Sequence, residues 1–488
     1  MRPESNRWLV LVIVCGAQFM VVLDATVVNV ALPSIQRDLG FKPESLQWIV
    51  NAYTLVFGGF LLLGGRASDL LGRQRLFLAG IAVFTCASAV NGLANTAGVL
   101  IAGRALQGLG GALISPAALS IITTTFDEGE ERTKALGVWS AIAAGGAAAG
   151  LVIGGFLTQE FSWRWGFFVN LPVGIAAALL ALRFVPNSRA EHRERGFDLP
   201  GAVSVTGGLL VLVYAIVKAE SYGWGSPKTI GLFALAAGLL GAFVVIEQRS
   251  RAPLIRLGIF RMRSLTGANG AMLLVACGLF AMFFFASLYL QETLGYRPLK
   301  AGFAFVPFTL GIVVGAGLSQ LLIRKLGVRM VPYIGVTLGA IGLLWFARLP
   351  THGTYVHDIL PTFLVVSVGM GLTFVPCTLL ATTNVAAEDA GLASGLLNTS
   401  QQVGGALGLA ILSTLAATRT SHLLAHGDAT SLAVQAAARV GGYHVAFGVG
   451  AAMLACAGVV LAATVRKEDA EAIDRGGAEL ETAAETAI

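Results

Sequence analysis

The sequence predicts an all-α polytopic membrane protein with 14 transmembrane helices, built as two six-helix bundles with two extra helices between them. Three observations lead there. Of the 488 residues, 56% are apolar and 12% are charged, about half the charge of an ordinary soluble domain and too little to solvate the surface of so long a chain. Fourteen apolar segments approach or exceed the roughly 20 residues that span a hydrocarbon core about 30 Å thick. Glycines repeat in register between the two halves. Intrinsic disorder is excluded, because it requires low hydrophobicity and high charge.

In chain order the segments are 8–32, 47–64, 76–94, 98–123, 136–158, 166–185, 199–218, 229–247, 265–290, 300–323, 331–348, 358–380, 394–416 and 443–465. An even number places both termini on one side. With the termini cytoplasmic, the inner segments carry 22 of the 33 Lys and Arg, the outer loops carry ten, and Arg104 stands inside a span. That bias follows the positive-inside rule. The densest cluster, Arg249, Arg251, Arg256, Arg261 and Arg263, reads as an orientation signal beside anionic lipid rather than a nucleic-acid site. The first apolar segment is long and lacks a small-residue cleavage site, so it reads as a retained helix and not a signal peptide. Cys15, Cys86, Cys277, Cys377 and Cys456 lie far apart inside apolar runs and read as packing residues.

Gly137, Gly146 and Gly150 recur as Gly395, Gly404 and Gly408, each 258 residues on, and Gly111-x4-Pro116 recurs as Gly371-x4-Pro376. Gly72-Arg73-Gln74-Arg75 has a weaker echo in Gly327-Val328-Arg329. Repeated halves are a mark of secondary transporters. The offset sets span 4 against span 12 and span 5 against span 13, a step of eight helices. This gives a first bundle over 1–185, two additional helices and a basic linker over 186–264, a second bundle over 265–465, and a cytoplasmic tail over 466–488 expected to be disordered.

Asp24 sits within the first span, in Leu23-Asp24-Ala25-Thr26-Val27-Val28-Asn29-Val30-Ala31-Leu32-Pro33. A carboxylate at membrane depth is costly and faces a bundle interior or a wet cavity. Desolvation penalises its charged form, which fits it to carry a proton; the alternative is a static partner for a buried cation. Arg104 and Gln107, three residues apart, share one face of span 4. Asp24 and Arg104 both lie about 10 Å below the outer boundary at 1.5 Å per residue, so the two can meet. A structural ion pair and a proton-release gate are both open at this point.

Gly65, Asp69, Gly72 and Arg73 form a charged turn between spans 2 and 3, and Gly146, Gly150, Gly154 and Gly155 form a smooth stripe on span 5 that admits a close neighbour helix. The stripe reads either as plain packing or as a sliding surface. Residues able to line a largely apolar substrate pathway are Gln18, Asn29, Asn51, Tyr53, Gln107, Trp139, Asn269, Tyr289, Asn398 and Gln402, with Phe284 standing for the run Phe280, Phe283, Phe284, Phe285. His422-x3-His426 with Asp428 has helical metal spacing but reads as a solvated loop, so no metal is expected. No phosphate loop ending in Lys-Ser or Lys-Thr and no nucleophile–base set is present, so neither ATP drive nor enzymatic catalysis is expected.

These residues together resemble the major facilitator superfamily, and within it the fourteen-helix drug–proton antiporters. Leu23–Pro33 is similar to that family's first-helix signature. Gly65–Arg75 resembles its loop motif, Arg104-Ala105-Leu106-Gln107-Gly108 its fourth-helix motif, and Gly146-x3-Gly150-Leu151-x2-Gly154-Gly155 its antiporter motif. Trp163-Arg164-Trp165, Asn170-Leu171-Pro172 and Ala393–Asn398 with Gln402 also look like the family. The loop motif departs at Ala67 and Leu70, and the antiporter motif has Leu151 where proline is usual.

The resemblance implies export of amphipathic drugs or antibiotics against protons, with Asp24 and Arg104 in proton coupling. It also implies proton-motive force in place of a cofactor, and partners limited to a small amphipathic substrate, protons and membrane lipids. Nucleic acid is not among them, and the chain is expected to act as a monomer. The expected location is a bacterial cytoplasmic membrane with both termini inside. Export of a lipid or endogenous secondary metabolite is a second reading, and a non-transporting polytopic protein is a third.

Overall fold

The computed structural model describes residues 5–126, 129–186, 198–250, 253–382, 385, 390–426 and 431–466. Among these there is no strand. The fourteen main helices are α1 (Ser5–Leu39), α2 (Trp48–Leu71), α3 (Arg73–Gly92), α4 (Ala97–Thr125), α5 (Glu130–Glu160), α6 (Asn170–Phe184), α7 (Leu199–Tyr222), α8 (Pro227–Arg249), α9 (Arg263–Leu288), α10 (Val306–Leu326), α11 (Met330–Phe346), α12 (Leu360–Thr382), α13 (Ala390–Ala425) and α14 (Leu432–Thr464). Twelve of the described helices are long and apolar enough to cross a membrane, among them α10 taken together with the short helix Pro298–Ala304; α5 and the 17-residue α11 stand at the other two expected positions.

Each expected span falls on helical residues, the tenth on two helices, and α1 and α13 run on past the C-terminal end of the apolar segment to Leu39 and Ala425. Hydropathy marks the part of a helix that hydrocarbon covers, whereas backbone hydrogen bonding continues into the polar flanks. The tenth span is split at Phe305. Pro307 lacks the N–H that would bond the carbonyl four residues back, so the chain restarts its helix there. The tail beyond Arg466 lies outside the described residues.

The chain divides into two compact units. The first comprises Met1–Leu254 with Ser287–Phe305, and the second comprises Ile255–Ala286 with Val306–Ile488. In the first, Val14, Phe77, Phe84, Ile114, Ile121 and Phe126 belong to one buried cluster. The extra pair α7 and α8 belongs to this unit. Gly59 of α2 lies so close to Thr206 of α7 that an added Cβ would stand 2.1 Å from its hydroxyl, and α7 carries α8 on its other side. Few residues of α8 are buried, among them Thr229, Ala236 and Glu247, so the face of this apolar helix away from α7 is left for hydrocarbon.

Two of the three repeated glycine pairs, Gly146 with Gly404 and Gly150 with Gly408, have a packing cause, whereas Gly137 meets nothing within 4 Å. In the first unit, Gly146, Gly150 and Gly154 of α5 lie against Val22, Leu23, Thr26 and Val27 of α1. In the second unit, Gly404 and Gly408 of α13 lie against Leu273 and Cys277 of α9. A Cβ at Gly150 would stand 2.0 Å from Thr26 Oγ1, and one at Gly408 2.2 Å from Cys277 Cα. Small residues on the stripe are what bring these backbones together. Gly72 and Gly327, the weaker echo, both take positive φ (106° and 81°) at the tight turns before α3 and α11, which glycine adopts without a Cβ clash.

Pro33 leaves a second mark on the first unit. It stands inside α1 and removes the donor that would bond the Asn29 carbonyl. Ser287 Oγ donates to that carbonyl at 2.6 Å, and Gln291 Nε2 donates to the Val30 carbonyl at 3.0 Å. The π-helical turn Tyr289–Thr293 presents Gln291 there.

Candidate functional site

The polar centre of the first unit gathers around Asp24, which has no solvent exposure. Arg104 and Gln107 project from one face of α4, as their spacing requires. Arg104 Nη1 bonds Asp24 Oδ2, and Gln107 Nε2 donates to Oδ1 at 2.9 Å. Asn170, the first residue of α6, donates its Nδ2 to Oδ1 at 2.8 Å. Three donors therefore face one carboxylate.

Each member is itself held. Arg104 Nε donates to the Ile49 carbonyl at 3.0 Å, its Nη1 to Gln107 Oε1 at 2.8 Å, and its guanidinium carbon lies 4.3 Å from the centre of the Tyr53 ring. The ring adds cation–π attraction at this buried site. Ser88 and Asn91, three apart on α3, complete the group. Ser88 accepts from Gln107 Nε2 at 2.7 Å and from Asn170 Nδ2 at 3.3 Å, and Asn91 Nδ2 donates to Gln107 Oε1 at 2.6 Å. Gly103 and Gly108 flank the pair on α4 and lack the Cβ that would meet Asn91 Oδ1 and the Tyr53 carbonyl at 2.0 and 2.4 Å. Burying an ion pair is costly unless further hydrogen bonds satisfy both partners, and here Gln107, Asn170 and the Ile49 carbonyl supply them, with Ser88 and Asn91 holding the two amides in place.

The other expected residues are spread more widely. Asn51 is buried and donates to Gln47 Oε1 at 3.3 Å, and Tyr53 and Gln107 belong to the centre just described. Gln18 is half-buried and accepts from Ser115 Oγ at 2.9 Å. Asn29 is half-buried with Nδ2 3.4 Å from the Ala25 carbonyl, and Trp139 packs partly buried on the α1–α4 core. Tyr289 is buried in the first unit. In the second unit, Asn269 Oδ1 accepts from Ser400 at 2.9 Å, Asn398 is exposed with Nδ2 on the Ser394 carbonyl, and Gln402 is half-buried. Phe284 is buried with its ring 5.3 Å from Phe285.

At the charged turn, Gly65 lies 3.7 Å from Pro116 when given a Cβ, and Arg73 Nε donates to Ser120 Oγ at 2.7 Å. The side chain of Asp69 is outside the described part. Gly155 lies against the Pro298 carbonyl. His426 Nδ1 is 2.8 Å from the His422 carbonyl, Asp428 lies outside the described residues, and no trio of His, Cys, Asp or Glu among the described residues could hold a metal ion. Ser88 and Asn91 were not among the expected site residues, and Asn170 had no assigned role. The signal for the α3 pair is present in the sequence, as two polar residues at helical spacing inside an otherwise apolar span.

The profile of the Major Facilitator Superfamily matches residues 14–409. The chain belongs to the major facilitator superfamily. Family membership makes it a multi-pass membrane transporter rather than an enzyme. It is 43% identical over 484 residues to the puromycin resistance protein pur8 of Streptomyces alboniger, covering 97% of this chain and 94% of that one. It is also 43% identical to the cephamycin export protein CmcT of Amycolatopsis lactamdurans, over 86% of each chain, and 35% identical to the tetracenomycin C resistance and export protein of Streptomyces glaucescens, over 85% of this chain and 77% of that one. Among solved structures, a bacterial homolog of the human lysosomal transporter Spinster, in its inward-facing and occupied conformation, aligns with TM-score 0.68 at 15% identity, over 96% of this chain and 99% of that one. At that identity the likeness is one of fold.

Proposed function

We propose that this transporter is a proton-coupled antiporter that exports an amphipathic drug or antibiotic across the cytoplasmic membrane of a bacterium. Support for export comes from relatives named for antibiotic resistance and export. Support for proton coupling comes from one observation, the fully buried Asp24 held by Arg104. Uptake of a proton cancels the charge that holds Arg104, and its loss restores the pair. A ligand that favours one of these two states over the other is thereby exchanged for a proton. In this reading both termini are cytoplasmic, the protein acts as a monomer among membrane lipids, and proton-motive force stands where a cofactor or ATP otherwise would.

The test is flux in proteoliposomes under an imposed pH gradient, with a panel of amphipathic antibiotics. Wild type should concentrate at least one of them, and Asp24→Asn should lose gradient-driven flux while inserting normally. Gradient-driven flux that persists in Asp24→Asn would rule out the role of this acid.

One feature favours the second reading, export of a lipid or an endogenous metabolite. A half-open surface groove of about 420 Å³ in the first unit is lined by Trp8, Leu11, Val12, Cys15, Phe19 and Ile142, among others, all apolar or glycine, with Trp8 and Val12 exposed, so it would suit an acyl chain. Flux of a fluorescent lipid in the same vesicles separates the two.

A further inference from the structure

Every side chain bonded to Asp24 is a donor: Arg104 Nη1, Gln107 Nε2 and Asn170 Nδ2. A protonated Asp24 carries an O–H that needs an acceptor, and none of these three atoms accepts. The charged and titratable groups facing Asp24 are Arg104 on α4 and Tyr53 on α2. The acids and bases of the other helices packed around it stand at helix ends: Arg66 and Asp69 on α2, Arg73 and Arg75 on α3, Glu130, Glu131, Arg132, Lys134 and Glu160 on α5, and Arg183 on α6. The short helical segments packed on α1 carry Glu44, Glu292 and Lys300.

Two α3 residues set which atoms point inward. Ser88 Oγ donates to the Phe84 carbonyl at 2.8 Å, so it meets Gln107 and Asn170 as an acceptor. Asn91 Nδ2 donates to Gln107 Oε1 and so decides that Gln107 shows Nε2, not Oε1, to Asp24. The remaining polar atom, Asn91 Oδ1, is buried with no hydrogen-bond partner. An orphaned buried acceptor in a network otherwise full of donors is uncommon.

We propose that Asn91 and Gln107 form a two-position amide pair that reads the protonation state of Asp24, with Asn91 as its positioning residue. This rests on the reading of Asp24 as the proton carrier. With Asp24 ionised, the pair stands as described. When a proton from water joins a carboxylate oxygen of Asp24, both amides turn over about their terminal torsions, which are broad and two-fold. Gln107 Oε1 then accepts from the Asp24 O–H and from Ser88, whose hydroxyl swings off the Phe84 carbonyl, and Gln107 Nε2 donates to Asn91 Oδ1, while Asn91 Nδ2 takes the unpartnered place beside Gly103. The turned Gln107 now points a donor at Arg104 Nη1, so the guanidinium loses an acceptor at the moment it loses the charge of Asp24. Proton uptake and release of Arg104 become one event. Loss of the proton to water reverses both turns.

Infrared difference spectroscopy on the full-length protein in lipid, neutral against acid, tests this with side-chain-labelled Gln and Asn. The wild type should show a carboxylic acid band that Asp24→Asn abolishes. It should also show amide carbonyl shifts with the same pH midpoint, lost in Gln107→Leu. Asn91→Asp, which can only accept, should show the turned Gln107 band already at neutral pH. Asn91→Leu should move the Asp24 midpoint by about half a pH unit or more. If the Asp24 band titrates with no amide shift beside it, the amide pair is overturned and the proton reading stands. If no Asp24 band titrates at all, the proton reading falls and the pair with it.

Discussion

The two units share a packing device and differ in what it encloses. Gly150 sits on Leu23 and Gly408 on Cys277, so the contact register sets Asp24 opposite Gly278. The Gly-x4-Pro repeat sets Arg104 opposite Leu364 and Gln107 opposite Ser367, and the turn glycines set Ser88 and Asn91 opposite Leu343 and Phe346. Where the first unit has an ion pair and amides, the second has Gly278, Leu364, Ser367, Leu343 and Phe346 in register, with a cluster of rings around Phe346. Phe346 lies 5.5 Å from Phe363 and stacks on Phe447 at 5.0 Å, Phe363 lies 5.5 Å from Phe308, and Phe285 lies 6.1 Å from Phe447. Such ring pairs contribute beyond the area they bury. Among the described residues, the buried Asp24–Arg104 pair stands in the first unit, and its counterparts in the second carry no charge. Glycine spacing decides how closely helices approach, and the side chains beside the stripe decide what the approach is for.

The contrast can be broken from either side. The largest effect is expected at Arg104→Ala, which strands a buried carboxylate and should destabilise the protein by about 3–5 kcal/mol, whereas Leu364→Ala at the exposed counterpart should stay within about 0.5 kcal/mol. Thermal melting in detergent, followed by tryptophan fluorescence, reads both; similar losses at the two sites would dissolve the contrast. Next is Phe346→Ala, expected to cost about 3 kcal/mol through a cavity among rings while leaving the pH dependence of transport where it was. Gly150→Val and Gly408→Val should each cost about 1–3 kcal/mol by overpacking. The second should be the worse, because its added Cβ meets backbone whereas the first meets a hydroxyl before the Leu23 carbonyl. The smallest effect is Ser287→Ala, about 1 kcal/mol, because the Asn29 carbonyl freed by Pro33 loses its outside donor. If a Pro33→Ala background did not reduce that cost, the orphaned carbonyl would not be its cause.

The architecture was legible in the sequence because hydrocarbon imposes a coarse requirement, apolar runs of sufficient length, and the runs at 8–32 and 394–416 meet it without any tertiary contact. The meeting of Asp24 with Arg104 was legible too, since depth along a straight helix follows from residue count. Asn170, Ser88 and Asn91 were less so. Their part depends on the rotation of α3 and α6 about their axes, and the few polar residues in an apolar helix fix that rotation weakly until neighbours close around it.

By itself, then, the chain determined its helices, its duplication, its glycine stripes and the presence of one acid and one base at membrane depth. These are properties of a helix in hydrocarbon, where spacing along the sequence is spacing in space. Only the tertiary structure decided which polar atoms share a centre, that Gln107 turns its Nε2 to Asp24, and that Ser287 and Gln291 close on the carbonyls near Pro33. Those contacts join residues up to 261 positions apart, and donor-to-acceptor geometry is fixed by how helices pack, which no local pattern encodes.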